Sequence, residues 1–79
     1  MTETIYIALL DEGLDVWRPA NAWRTAGKCY IVLRPDEYDP DLERWQFPPG
    51  SVVECETRQS GGASILAATR LISLTKKTA

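Results

Sequence analysis

The sequence predicts an all-β fold: a small antiparallel, strongly bent sheet or a partly open SH3-like barrel of five to six strands. Three observations carry that prediction. Short runs rich in β-branched and aromatic residues recur along the 79 residues. Most links between them are of hairpin length and carry glycine, at Gly13, Gly27 and Gly61-Gly62. Outside residues 63–72 no stretch reads as a helix.

The chain is organised around Leu9 to Trp23, an apolar run, an acidic turn at Asp11-Glu12-Gly13 and a second run with two tryptophans. Thr4 to Leu10 reads as a central strand, with Ile5, Ile7 and Leu9 on one face and Tyr6, Ala8 and Leu10 on the other. After the turn, Asp15 to Arg24 places Val16, Arg18, Ala20, Ala22 and Arg24 on one side and Trp17, Pro19, Asn21 and Trp23 on the other. Pro19 lacks the N–H of a ladder residue, so an edge, bulge or bend is expected there. A turn centred on Gly27 leads to the strand Cys29 to Leu33, which closes a three-stranded meander.

Arg34 to Arg44 then breaks the pattern with two prolines and a run of acids, and reads as the longest loop. Trp45-Gln46-Phe47 is a brief apolar return with two aromatics at strand spacing, stopped by Pro48-Pro49-Gly50. Ser51 to Thr57 is the next strand, with Val53, Cys55 and Thr57 opposite the wetter Val52, Glu54 and Glu56. Gln59-Ser60-Gly61-Gly62 reads as a hairpin turn. Ala63 to Ile72 is the last apolar segment; Ile65 to Ala68 with Leu71 and Ile72 could make a helix, but the double glycine before it is better hairpin chemistry, and a strand is favoured.

One domain, residues 1–79, is expected, with its core over about residues 4–72 and a fraying polar tail over 73–79. A chain this short buries only about 60–65% of the surface that it exposes when unfolded, so its stability is modest. At this size at least two of Trp17, Trp23 and Trp45 are expected to close the core, because large rings raise the buried area.

Residues 1–56 hold all eleven acidic residues against five basic ones, whereas residues 57–79 hold four basic residues and no acid. An acidic body argues against strong direct binding to nucleic-acid phosphates. There is no histidine, and Cys29 and Cys55 alone cannot complete a zinc site. No metal and no cofactor are expected. The two cysteines read as small buried hydrophobes, with a disulfide as the alternative. Ile5 to Leu10 is too short, and preceded by Glu3 rather than Lys or Arg, for a signal peptide or a membrane span. The expectation is a cytoplasmic protein with no membrane contact, a monomer or weak homodimer.

A set of motifs then carries a resemblance: Asp11-Glu12-Gly13, Asp15-Val16-Trp17-Arg18-Pro19, Tyr38-Asp39-Pro40, Trp45 with Phe47, Pro49-Gly50-Ser51-Val52-Val53 with Cys55-Glu56, and Ser60-Gly61-Gly62. Over about Ile5 to Ala68 the chain resembles a group of small bacterial proteins of unassigned function. The resemblance brings no activity with it. Position 20 is Ala where that group suggests Val, and residues 71–79 lie outside the pattern.

Catalytic chemistry has little to stand on. There is no nucleophile elbow and no phosphate-cradling glycine pattern, and the carboxylate pairs Asp11/Asp15 and Glu54/Glu56 read as solvated acids rather than acid–base partners. The protein is therefore expected not to be an enzyme. The sharper feature is the acidic loop, whose Asp36, Glu37, Tyr38, Asp39, Asp41, Glu43 and Trp45 form the candidate partner-binding set. Prolines and the lack of a glycine argue against a calcium loop. A row of carboxylates can stand in for nucleic-acid phosphates and steer a Lys/Arg-lined protein surface, with the aromatics as anchors; the plain alternative is a solvated connection. The expected function is a non-enzymatic accessory or inhibitor protein, of the phage or mobile-element type, such as an anti-CRISPR protein or other nucleic-acid mimic. The alternative is a nucleic-acid-binding barrel that uses Arg18, Arg24 and Arg34 with an exposed tryptophan as stacking platform.

Overall fold

The computed structural model of the chain describes residues 2–10, 16–36 and 38–74. Within them five strands follow one another: β1 (Thr2–Ala8), β2 (Trp17–Ala26), β3 (Cys29–Val32), β4 (Ser51–Ser60) and β5 (Ala63–Leu74). Each pairs antiparallel with the next, and β1 meets β5 in parallel at Tyr6 and Ala67, so the meander closes into a barrel. The all-β barrel is the fold that the sequence predicts, and its ring is closed rather than partly open. An odd number of alternating strands must end parallel to its start, which is why the closing pair alone is parallel.

Two irregularities in β5 make that closure possible. Its register against β4 shifts between Val52 and Val53 and again between Glu54 and Cys55, so Ile72 and Thr69 are extra residues on the β5 side. Each bulge bends the strand and adds twist, which carries β5 round to β1. The Thr69 hydroxyl donates to the Glu54 carbonyl at 3.2 Å and so occupies an acceptor at one bulge.

Strand alternation sets the interior. Ile5 and Ile7 of β1, Ala20 and Ala22 of β2, Tyr30 and Val32 of β3, and Val53 and Cys55 of β4 face inward and are buried. Residues 63–72 are strand, not helix, and the strand runs on to Leu74, past the expected core boundary at residue 72. Ala68, opposite Cys55, supplies its small inner surface, while Ala67, opposite Glu56, is buried where β5 meets β1. The hairpin into β5 turns on Gly61 and Gly62, with φ of +58° and +82°, the pair of left-handed residues that a two-residue type I′ turn needs.

The central hairpin is present as antiparallel pairing from Thr2↔Trp23 to Ala8↔Trp17, extended by Leu9 N–H donating to the Val16 carbonyl at 3.0 Å. Its turn, Asp11-Glu12-Gly13, lies outside the described residues. Counting alternately from the Leu9–Val16 bond, Tyr6 and Pro19 form a non-hydrogen-bonded pair, and Pro19's nitrogen faces away from β1. On that side no strand among the described residues pairs with β2 before Asn21, whose carbonyl accepts from Leu33 N–H. The missing N–H of Pro19 therefore breaks no ladder bond.

Between β3 and β4, residues 33–50 cross the end of the barrel. Trp45 forms an isolated antiparallel bridge with Leu9, and backbone bonds run from Leu10 to Arg44 at 2.7 Å and from Gln46 to Ala8 at 2.9 Å. The Trp45-Gln46-Phe47 return is thus a bridge onto the end of β1 rather than a sixth strand, and both aromatics are buried. Residues 75–79, where fraying is expected, lie outside the described residues.

Candidate functional site

The acidic connection is folded on itself. The Asp39 carboxylate accepts from Asp41 N–H at 2.9 Å, and the Asp39 carbonyl accepts from Leu42 and Glu43 N–H at 3.0 and 3.1 Å. These bonds wind residues 39–43 into one compact turn, an Asx arrangement that aspartate forms readily. Behind it Tyr38 and Trp45 meet edge to face, ring centroids 4.9 Å apart and planes at 69°, and Arg34 lies 5.5 Å from the Tyr38 ring centre. The Trp45 indole N–H donates to Glu43 Oε1 at 3.2 Å, and the same oxygen lies 3.5 Å from Arg18 Nε.

That geometry divides the seven candidate residues. Tyr38, Glu43 and Trp45 come together as an internal clamp; Trp45 is only 5% exposed and holds the loop onto the barrel rather than offering a ring to a partner. Asp36, Asp39 and Asp41 stand on the surface, and Glu37 lies outside the described residues. Sequence reasoning missed Leu42, which is 76% exposed between Asp41 and Glu43. Its signal was available: it is the one aliphatic residue between Pro35 and Trp45, flanked by acids.

The expectation for the tryptophans needs correction. Trp45 alone is in the core; Trp17 is half-buried and Trp23 is 50% exposed. Alternation rightly placed Trp17 and Trp23 on one face of β2, opposite Ala20 and Ala22, but it is the alanine face that turns inward. The lumen of a five-stranded ring, already filled by Ile5, Ile7, Val32, Val53 and the two loop aromatics, has space there only for methyl groups.

The arginines are similarly committed within the fold. Arg18 is paired with Glu43, Arg24 Nε donates to the Gly27 carbonyl at 2.9 Å, and Arg34 lies by Tyr38. Across β4 and β5 Arg70 binds Glu54 at 3.0 Å, so of the Glu54/Glu56 pair one acid is held by a cation and the other is exposed. Asp11 and Asp15 lie outside the described residues.

Cys29 and Cys55 are free thiols. Cys55 is buried, and desolvation first, then the neighbouring Cys29, Glu3 and Glu54 charges, pushes its thiol up to about 11, so it is protonated and unreactive at neutral pH. Burial likewise raises the Tyr30 phenol, helped by the Glu3 carboxylate that accepts its hydroxyl at 3.4 Å. Among the described residues no group of three or more His, Cys, Asp or Glu is placed to hold a metal ion, and no helix is long and apolar enough to cross a membrane. No family model, characterised protein or solved structure matches the chain.

Proposed function

We propose that the protein is a non-enzymatic accessory or inhibitor protein that binds a macromolecule, of the kind that phages and mobile elements direct at host complexes, with anti-CRISPR proteins and other nucleic-acid mimics as its type. On this reading it works in the cytoplasm as a monomer or weak homodimer and meets a basic protein surface through the β3–β4 connection. One observation supports the reading above others: Asp39 and Asp41 share one turn with the exposed Leu42, and the exposed Asp36 stands on the same loop, which is pinned by Tyr38, Glu43 and Trp45. Carboxylates on a loop that is already ordered lose little freedom on docking, and an apolar centre within a charged rim is the layout of a protein contact.

The test is a pull-down from bacterial lysate at low salt, repeated with Asp36, Glu37, Asp39 and Asp41 changed together to Asn or Gln. A partner that the wild type retains and the variant loses, with association that slows as salt rises, is the expected result. Recovery of no partner, or equal association rates for both forms across a salt series, refutes the reading.

The alternative, a nucleic-acid-binding barrel, is favoured by the exposure of Trp23 but weakened by the internal contacts of Arg18, Arg24 and Arg34. A mobility shift with DNA or RNA at low salt that fades as salt rises would favour it.

A further inference from the structure

The β4–β5 hairpin reaches beyond the barrel. β3 pairs with β4 only over Val52–Glu54, and β1 meets β5 at Ala67, so the pairs from Thr57↔Leu66 to Ser60↔Ala63 stand out as a two-stranded arm. Between that arm and the first residue of β2 lies a cavity of about 420 Å³, lined by Trp17, Arg58, Gln59, Ser60, Gly61 and Ile65. Its volume is almost twice the roughly 220 Å³ of the cleft beside Arg24 and Tyr30, and it falls within the range of small-molecule sites.

The lining is of mixed chemistry. Trp17 and Ile65, both half-buried, present an aromatic and an aliphatic wall. Arg58 has no ion-pair or hydrogen-bond partner among the described residues, unlike Arg18, Arg24, Arg34 and Arg70. Gln59 pairs with Ser64 on the opposite face of the arm from Arg58 and Ile65, and its amide N–H donates to Ser64 Oγ at 2.9 Å, a bond that ties the two strands of the arm together. An indole stacks flat rings, and a guanidinium fork binds a carboxylate or phosphate through two parallel bonds.

We infer that this cavity is a binding site for a small aromatic anion, a planar ring bearing a carboxylate or a phosphate. The ring lies against Trp17 with Ile65 as its second wall, and the anionic group meets the Arg58 guanidinium. The site is separate from the acidic connection, and its anion preference is opposite in sign to that surface.

The experiment is a titration of the isotope-labelled chain, followed by amide and indole resonances, with two probes: indole-3-carboxylate for the carboxylate class and adenosine monophosphate for the phosphate class. Saturable shifts at the Trp17 indole N–H and the Gly61 amide are expected, with dissociation constants of about millimolar for ligands this small. Arg58→Gln should weaken binding at least about tenfold, the loss of a charge-assisted bond, and Arg58→Lys should fall between. Because Arg58 is exposed, both variants keep the wild-type spectrum elsewhere. Response to one probe alone assigns the anion class. No saturable shift from either probe up to about 10 mM, or equal affinity in Arg58→Gln, overturns the inference.

Discussion

Replacing Trp45 with alanine removes the contact on which both the core and the acidic connection depend. The ring is 5% exposed, packs edge to face on Tyr38 at 4.9 Å, and donates its N–H to Glu43 at 3.2 Å. Truncating a buried aromatic to alanine costs about 3–5 kcal/mol, which includes the cavity left behind. The lost ring pair adds about 0.5–1.5 kcal/mol. A chain of this length has about 4–12 kcal/mol in total, so Trp45→Ala should lose roughly a third or more of its stability and unfold outright if the total lies at the low end of that range. Trp45→Phe separates packing from hydrogen bonding: it keeps a ring against Tyr38, loses the N–H to Glu43, and should cost only about 1–3 kcal/mol. Urea unfolding followed by far-ultraviolet circular dichroism measures both. With a slope of about 1 kcal/mol per molar, the alanine variant shifts its midpoint down by at least about 3 M and the phenylalanine variant by about 1–3 M. If Trp45→Ala loses less than about 1 kcal/mol, the indole is not the clamp described, and the loop is held by its backbone bonds alone.

Stability should fall at alkaline pH. The Cys55 thiol is raised from 9.0 to about 11 in the folded chain, so the unfolded chain releases its proton first; stability present in full below pH 9 is lost as the pH rises toward 11, and Tyr30, raised from 10.0, acts in the same direction. Urea midpoints taken from about pH 8 to about pH 10.5 should decline, and less steeply in Cys55→Ala; equal slopes would show that Cys55 is not the linked group. Ser51 is fully buried and its hydroxyl has no hydrogen-bond partner among the described residues, so Ser51→Ala should be neutral or stabilising by up to about 1 kcal/mol, and a loss larger than that would mean that the hydroxyl is bonded in solution.

Much of the ring is legible in local pattern. Ile5 and Ile7, Val53 and Cys55 alternate with wetter residues at period two, and Gly61-Gly62 marks a turn that few other pairs can make, so five strands and their order follow from short-range chemistry. The closure is not local. It depends on the bulges at Thr69 and Ile72, and nothing in Ala-Ala-Thr-Arg-Leu-Ile marks which residues are extra. The tryptophans show a second limit: alternation groups Trp17 with Trp23, yet which face turns inward depends on the volume left by residues from all the other strands. In the loop Trp45 takes the buried place that its size suggests and Leu42 is left on the surface, since the loop seats its largest ring on β1. The Trp17–Arg58 cavity joins the start of β2 to the tip of a distant hairpin, and no local motif could have paired them.

The single parallel contact between β1 and β5 also determines how the domain would carry load. Because these strands run the same way, Thr2 and Leu74 leave the barrel at opposite ends. Tension applied through those two points drags β1 lengthwise past β5, so the closing bonds are strained together instead of being peeled one at a time as in a hairpin pulled at its open end. Pulled across β4 and β5 instead, through Ser51 and Leu74 at the open end of that hairpin, the same chain opens pair by pair toward the turn. A barrel of four or six alternating strands would bring both ends out on one side and lose this asymmetry. Five strands thus make a link that resists stretching along the chain more than across it, a property that force spectroscopy with handles at either pair of positions would read directly.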